Sequence, residues 1–170
     1  MGHRYRPPAA RKSPYITQQG YRTLQAELKA LWEHRAVVTQ ALSEAAAEGD
    51  RSENAEYIYR KKELREIDRR IRYLQKRLPE LIVVDSTPDN PRQVFFGAWI
   101  TLEDEKGKEY IYRIVGPDEF DSQKDYISMD SPMARALLKK AVDEEVIVQT
   151  PKGAIHYWIT DVRYQAQHPD

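Results

Sequence analysis

Leu64-Arg65-Glu66-Ile67-Asp68-Arg69-Arg70-Ile71-Arg72-Tyr73-Leu74-Gln75-Lys76-Arg77-Leu78 decides the fold. Its apolar members, Leu64, Ile67, Ile71, Leu74 and Leu78, recur at steps of 3, 4, 3 and 4 residues. A repeat averaging 3.5 residues marks a coiled-coil seam. Upstream, Tyr21, Leu24, Leu28 and Leu31 keep the same spacing, Arg35 takes one seam position, and Val38, Leu42 and Ala45 resume it. Between the two runs lies Glu48-Gly49-Asp50-Arg51, which holds the one glycine between Gly20 and Gly97. Two heptad helices joined by so short a turn fold back antiparallel. With Thr17 as a start and Pro79 as a stop, each helix has about 25–30 residues and spans roughly 40–45 Å.

A two-stranded seam buries little, so such a hairpin is mostly surface. This accounts for a charged fraction of 32% and an apolar fraction of 41%, against a usual ~25% and ~45–50%. Lys plus Arg and Asp plus Glu both total 27. The zero sum hides a division: residues 1–79 carry 17 basic and 10 acidic side chains, and residues 80–170 carry 10 and 17. A basic half that meets a polyanion and an acidic half with another task follow from that asymmetry.

Beyond Leu81 the pattern changes. Leu81–Val84, Val94–Leu102, Glu109–Val115, Val146–Thr150 and Ile155–Tyr164 are rich in β-branched and aromatic residues, and Gly- and Pro-containing turn signals bound them. One helix interrupts them, with Ser131 as N-cap, Pro132 at its first position and Met133 to Lys140 as its body. The fold class is therefore α+β. The domains are a disordered arm over 1–14, a coiled-coil hairpin over 15–80 with its tip at 48–53, and a compact domain over 81–170.

Several chemistries are excluded. There is no cysteine, hence no disulfide and no thiolate site. No apolar run approaches the ~18 residues of a membrane span, and the Arg-containing N-terminus lacks the apolar core of a secretory signal. A soluble, cytoplasmic protein is expected. The four histidines show no metal-ligand spacing, and neither a phosphate-cradling glycine loop nor a nucleophile elbow is present. Trp99, Tyr110, Tyr112, Tyr157, Trp158 and Tyr164 read as core residues.

Two features remain. At the tip, Asp50 and Glu53 are spaced as a capping box, with Asp50 or Ser52 as N-cap; from spacing alone this is the simpler reading. The alternative is that two exposed carboxylates contribute to an Mg²⁺ site whose other ligands come from elsewhere. Along the second helix, Lys62, Arg65, Arg69, Arg72 and Lys76 form a basic stripe, widened by Arg60, Lys61, Arg70 and Arg77. Pairs Glu56–Arg60, Glu66–Arg70 and Asp68–Arg72 at i,i+4 would each contribute only ~0.2–0.5 kcal/mol, and like charges at that spacing cost as much. An external phosphate backbone explains the stripe better.

Gly49-Asp50-Arg51-Ser52-Glu53-Asn54-Ala55-Glu56-Tyr57 resembles the tip signature of the bacterial Gre transcript-cleavage factors. Leu64–Arg70, Val94–Trp99, Lys124–Ser128 and Asp130–Leu138 resemble the B type of that family. The resemblance spans roughly residues 14–165. It implies an N-terminal antiparallel coiled coil and a C-terminal domain of FK506-binding-protein-like topology. It further implies that the C-terminal domain docks on the rim of RNA polymerase's secondary channel while the hairpin passes down it. Asp50 and Glu53 match the acidic pair that helps hold a second Mg²⁺ and its attacking water in the polymerase active centre, where two metals about 3.5–4 Å apart assist phosphoryl displacement. On this reading Arg51, Arg60, Lys61, Lys62, Arg65 and Arg69 contact the extruded 3′ RNA or the channel wall, and Asp130, Ser131 and Pro132 contact the polymerase. The protein would be a monomeric cofactor of the polymerase's own endonuclease activity. A channel-blocking relative without cleavage is the alternative, and the tip acids argue against it. Prolyl isomerisation is a third reading, but fold does not confer activity and no turnover of a proline peptide is expected. Two departures stand out: the N-terminal arm extends past the family's usual start, and Asp143-Glu144 stands where Gly-Asp is usual.

Overall fold

Residues 10–50 and 54–164 are described here from a computed structural model. They fall into two compact units: Gln18–Leu81, and a unit made from the chain on either side of it, up to Thr17 and from Ile82 on.

In the first unit, α1 (Gln18–Ala47) and α2 (Ala55–Arg77) pack side by side. At 1.5 Å per residue α1 is about 45 Å long. The seam is the heptad set: Leu24, Val38, Ala45, Ile67, Ile71 and Leu74 are buried, with Leu28, Leu31 and Leu64 packed beside them. Arg35, at its seam position, sends Nε to Asp68 Oδ1 at 2.7 Å. A polar residue at a seam position is thus paired across the hairpin. Arg70 likewise crosses to Glu27, with bonds of 2.7 and 2.9 Å. Asp68 therefore does not pair with Arg72 as i,i+4 spacing suggests; its carboxylate takes Arg35, and Arg72 Nε reaches only the Asp68 carbonyl at 3.4 Å. Beyond Arg77 a 3₁₀ turn at Leu78–Glu80 contains Pro79, the expected stop.

The second unit is a five-stranded mixed sheet in the order β5-β4-β3-β7-β6, built from β3 (Trp99–Asp104), β4 (Glu109–Val115), β5 (Tyr126–Ser128), β6 (Glu145–Thr150) and β7 (Gly153–Arg163). All pairs are antiparallel except β4 with β5. A bulge between Thr101 and Leu102 shifts the β3–β7 register. One face carries the core: Ile100, Leu102, Ile114, Ile159, Val146 and Val148, covered by Ala134 and Leu137 of α3 (Pro132–Leu137). Tyr110, Tyr112, Tyr157 and Tyr164 join this core, as expected. Trp99 and Trp158 do not. They point to the opposite face, where Trp99 meets Tyr126 edge-on at 5.7 Å and Arg113 lies against both rings. Strand alternation decides this, since neighbours Ile100 and Ile159 take the core side.

The strand expected from Val94 begins only at Trp99. Residues before it run beside the segment after α3, with Val94 bonded both ways to residues 139 and 140 at 2.7 Å, and the chain turns at Gly97 with φ +86°. Asp143 adopts φ +73°, a left-handed conformation that glycine enters most easily and Asp tolerates. Asp143 thus makes this turn in the left-handed region without a glycine.

Tyr15–Ile16 form a two-residue strand, β1, parallel to β2 (Ile82–Val83). Tyr15 and Ile16, read above as the start of the hairpin, belong with the sheet unit. Ile16 is fully buried. Thr17, expected to start the helix, donates its amide to Glu119 Oε2 at 3.0 Å and its hydroxyl to Oε1, while Gly116 N–H also donates to Oε2 at 2.8 Å. Gly116 must be glycine: a Cβ there would stand 2.0 Å from the Tyr15 carbonyl oxygen. Within the span assigned to the arm, residues 1–9 lie outside the described residues, but Ser13 is fixed, donating N–H and Oγ–H to the Asp130 carboxylate at 2.9 and 2.5 Å. Among the described residues no helix is long and apolar enough to cross a membrane.

Candidate functional site

The hairpin tip is organised by one asparagine. Asn54 is the N-cap of α2, its Oδ1 accepting from the Tyr57 amide at 3.1 Å. The same side chain donates Nδ2–H to the Ala45 carbonyl, near the end of α1, at 2.8 Å. One amide thus satisfies an orphan donor of one helix and an acceptor of the other, tying the two ends that frame the connecting loop. Asp50 is therefore not the N-cap of α2, which starts at Ala55; Ser52, the other expected cap, lies outside the described residues. The sequence signal was present, since Asn is a strong N-cap, but Asp50 and Ser52 precede it and Asp50–Glu53 has capping-box spacing.

Asp50 is exposed, directly after Gly49, whose φ of +131° turns the chain out of α1. Arg51 and Glu53 lie outside the described residues. Among the described residues no three His, Cys, Asp or Glu side chains gather as a metal-holding group. An exposed carboxylate oxygen is the right donor for a hard cation such as Mg²⁺, but one or two such donors do not make a complete site.

The basic residues separate into two groups. Arg60 is held by Glu56 at 2.8 Å and Glu63 at 3.0 Å, and Lys61 lies over the Tyr57 ring at 5.8 Å. Burial pushes the Glu63 carboxyl up, but hydrogen bonds from His34 and Arg60 outweigh it and hold it below the usual range. Lys62, Arg65, Arg69, Arg72 and Lys76 are exposed and form no ion pair among the described residues. Five unneutralised cations on one face of a helix attract an external polyanion.

In the sheet unit, Asp130 takes Ser13 as described, and its own amide donates to Ser128 Oγ at 3.1 Å. Ser131 is the N-cap of α3, accepting from the Ala134 amide at 3.2 Å, and Pro132 is exposed at the first helical position. Ser13 was missed as a neighbour of this segment because 117 residues separate it from Asp130.

A family model described as "Transcription elongation factor, N-terminal" matches residues 14–83, and one described as "Transcription elongation factor, GreA/GreB, C-term" matches residues 88–164. The chain is 61% identical over 155 residues to the transcription elongation factor GreB of Yersinia pestis, covering 91% of each. It is 57% identical over 162 residues to that of Pseudomonas aeruginosa, covering 95% of this chain and 96% of that one. Among solved structures it is similar to GreA factor homolog 1 (Gfh1) of Thermus thermophilus, at 25% identity, TM-score 0.42, and coverage of 90% of this chain and 99% of that one. So loose a superposition adds nothing to the assignment, which rests on the sequence matches. With both of its parts matched in order, and with relatives of this identity spanning nearly its whole length, the chain belongs to the GreA/GreB family of transcription elongation factors as a GreB-type member.

Proposed function

We propose that this elongation factor acts on RNA polymerase in the cytoplasm, as a monomer, by passing its hairpin down the secondary channel. There it stimulates the polymerase's intrinsic endonucleolytic cleavage of the 3′ RNA in backtracked, arrested complexes. It is not itself the enzyme. Asp50 and Glu53 take part in holding an Mg²⁺ ion jointly with the polymerase. That ion, when bound, supplies charge stabilisation for phosphoryl displacement. The role of this chain is to deliver carboxylate oxygens to that place and to hold a water against the RNA.

One observation carries the reading: Asn54, not Asp50, is the N-cap of α2, and Asp50 stands exposed at the apex. The basic stripe supports it. Lys62, Arg65 and Arg69 face outward without ion-pair partners among the described residues, as a surface for RNA phosphates would. Arg51 joins them on the resemblance alone. Arg60 and Lys61 serve differently, since each already engages a neighbour within the hairpin. Asp130, Ser131 and Pro132, with Ser13, form the docking segment of the acidic half, which suits a basic protein surface and repels nucleic acid.

The test uses purified polymerase halted in a backtracked state. Adding the factor should shorten the RNA from its 3′ end, and Asp50→Asn should slow that shortening by about a hundredfold or more while binding persists; loss of a metal-site contact costs roughly 10–100-fold even in an outer shell. Undiminished cleavage with Asp50→Asn plus Glu53→Gln removes the mechanism. Binding without cleavage by the unaltered factor establishes instead a regulator that blocks the channel.

A further inference from the structure

The basic stripe does not end at Lys62. Three residues nearer the tip, and therefore on the same helical face, stands Tyr59, with 60% of its surface exposed. A single exposed aromatic needs no explanation by itself. What gives Tyr59 its interest is its place in line with the basic stripe, together with its support. The Arg60 guanidinium lies 5.6 Å from the centre of its ring. Arg60 is in turn fixed by Glu56 at 2.8 Å and Glu63 at 3.0 Å, and Glu63 also takes His34 of α1 at 2.9 Å. The ring is thus backed by a cation that two carboxylates hold in place, and it still presents most of its surface to solvent.

Cations that follow a backbone, joined to an aromatic surface that accepts a base, are how proteins hold single strands without reading their sequence. Lys62, Arg65 and Arg69 supply the first part. We infer that Tyr59 supplies the second, stacking against an unpaired RNA base whose neighbouring phosphates lie along Lys62, Arg65 and Arg69. This rests on the function proposed above and assigns a new contact within it. Tyr59 is five residues beyond the cap Asn54, about 7 Å along the helix axis. The stacked base therefore belongs to the end of the strand that approaches the acidic loop. A guanidinium already neutralised by two acids serves poorly as a phosphate ligand and well as a fixed backing for a ring, which explains why Arg60 stands within the stripe and yet is paired.

The test uses the full-length factor and polymerase backtracked by several nucleotides, with 2-aminopurine placed in the extruded RNA. Emission should fall when the factor binds, should fall equally with Tyr59→Phe, and should not fall with Tyr59→Leu. Cleavage at subsaturating factor should slow roughly five- to hundredfold with Tyr59→Leu on ordinary RNA. It should slow no further, relative to the unaltered factor, on RNA whose extruded nucleotides are abasic. Equal weakening on ordinary and abasic RNA, or weaker binding to polymerase with no extruded RNA, would show that the ring touches the channel wall and would overturn the inference. The emission change should persist with Asp50→Asn. A factor that quenches the probe yet never stimulates cleavage would sink the function proposed above and leave the stacking contact standing.

Discussion

The hairpin and the sheet unit hold themselves together by different means. In the sheet unit Val94, Ile100, Leu102, Ile114, Leu137 and Ile159 are fully enclosed between the sheet and α3. Among the described residues of the hairpin only Val38 and Leu74 reach that state, and the seam is completed by pairs that cross it: Arg35–Asp68, Arg70–Glu27 and His34–Glu63. A thin seam leaves most side chains of α2 available to whatever the hairpin meets. A deep core lets the sheet unit fix a few surface groups, among them Glu119, Asp130 and Ser131, with firm partners. The region that carries the acids and the cations is the one with the least apolar burial.

The sharpest way to break this comparison is to remove the same atoms from both regions. Leu102→Ala should cost about 2–5 kcal/mol, as expected for a core leucine in a close-packed site. Leu28→Ala, at a half-buried seam position, should cost clearly less. Denaturant unfolding of the two variants, with separate probes for helix and sheet, decides the matter, and equal losses would show that the hairpin core is as demanding as the sheet core.

A smaller effect is expected at the tip. Asn54→Ala removes the N-cap of α2 and the partner of the Ala45 carbonyl, a loss of about 0.5–2 kcal/mol, confined to the hairpin. Hydrogen exchange should quicken at the Tyr57 amide and leave the amides of β3 and β4 unchanged. Unaltered protection at Tyr57 would mean that another group caps the helix.

The smallest effect belongs to the sheet unit. His156 Nδ1 lies 2.6 Å from Glu145 Oε1, and that hydrogen bond raises the His156 pKa above its ordinary value, against a small opposing effect of burial. A raised folded-state value means that the pair's contribution is present at acidic pH, below the unfolded value, and is lost as pH rises through the folded one. An NMR titration should place the His156 midpoint above that of an unperturbed histidine, and Glu145→Gln should bring it down. A midpoint indifferent to that substitution would remove the pair from solution.

Much of this architecture is visible in residue order. The 3,4 spacing of Leu64 to Leu78 marks α2, and Ser131-Pro132 marks the start of α3, because both signals are local. What escapes is non-local or too short to register. β1 and β2 have two residues each and find one another across the entire hairpin. β5 has three residues and is defined by β4 alongside it. Arg35 looks like a fault in the seam until Asp68 is seen opposite it. At the tip the acid Asp50 is legible as a candidate, but that Asn54 caps α2 and also reaches back to Ala45 is a pair of contacts that spacing within α2 cannot reveal.

The parallel pairing of Tyr15–Ile16 with Ile82–Val83 has a consequence for how such a molecule can change. Parallel neighbours demand a long crossover, and here the crossover is the whole of Gln18–Leu81. The sheet asks only that the two strands depart and return side by side; it sets no limit on how far the excursion travels. Adding or deleting matched heptads in both helices would lengthen or shorten the hairpin in steps of roughly 10 Å while leaving every residue of β1 and β2 as it is.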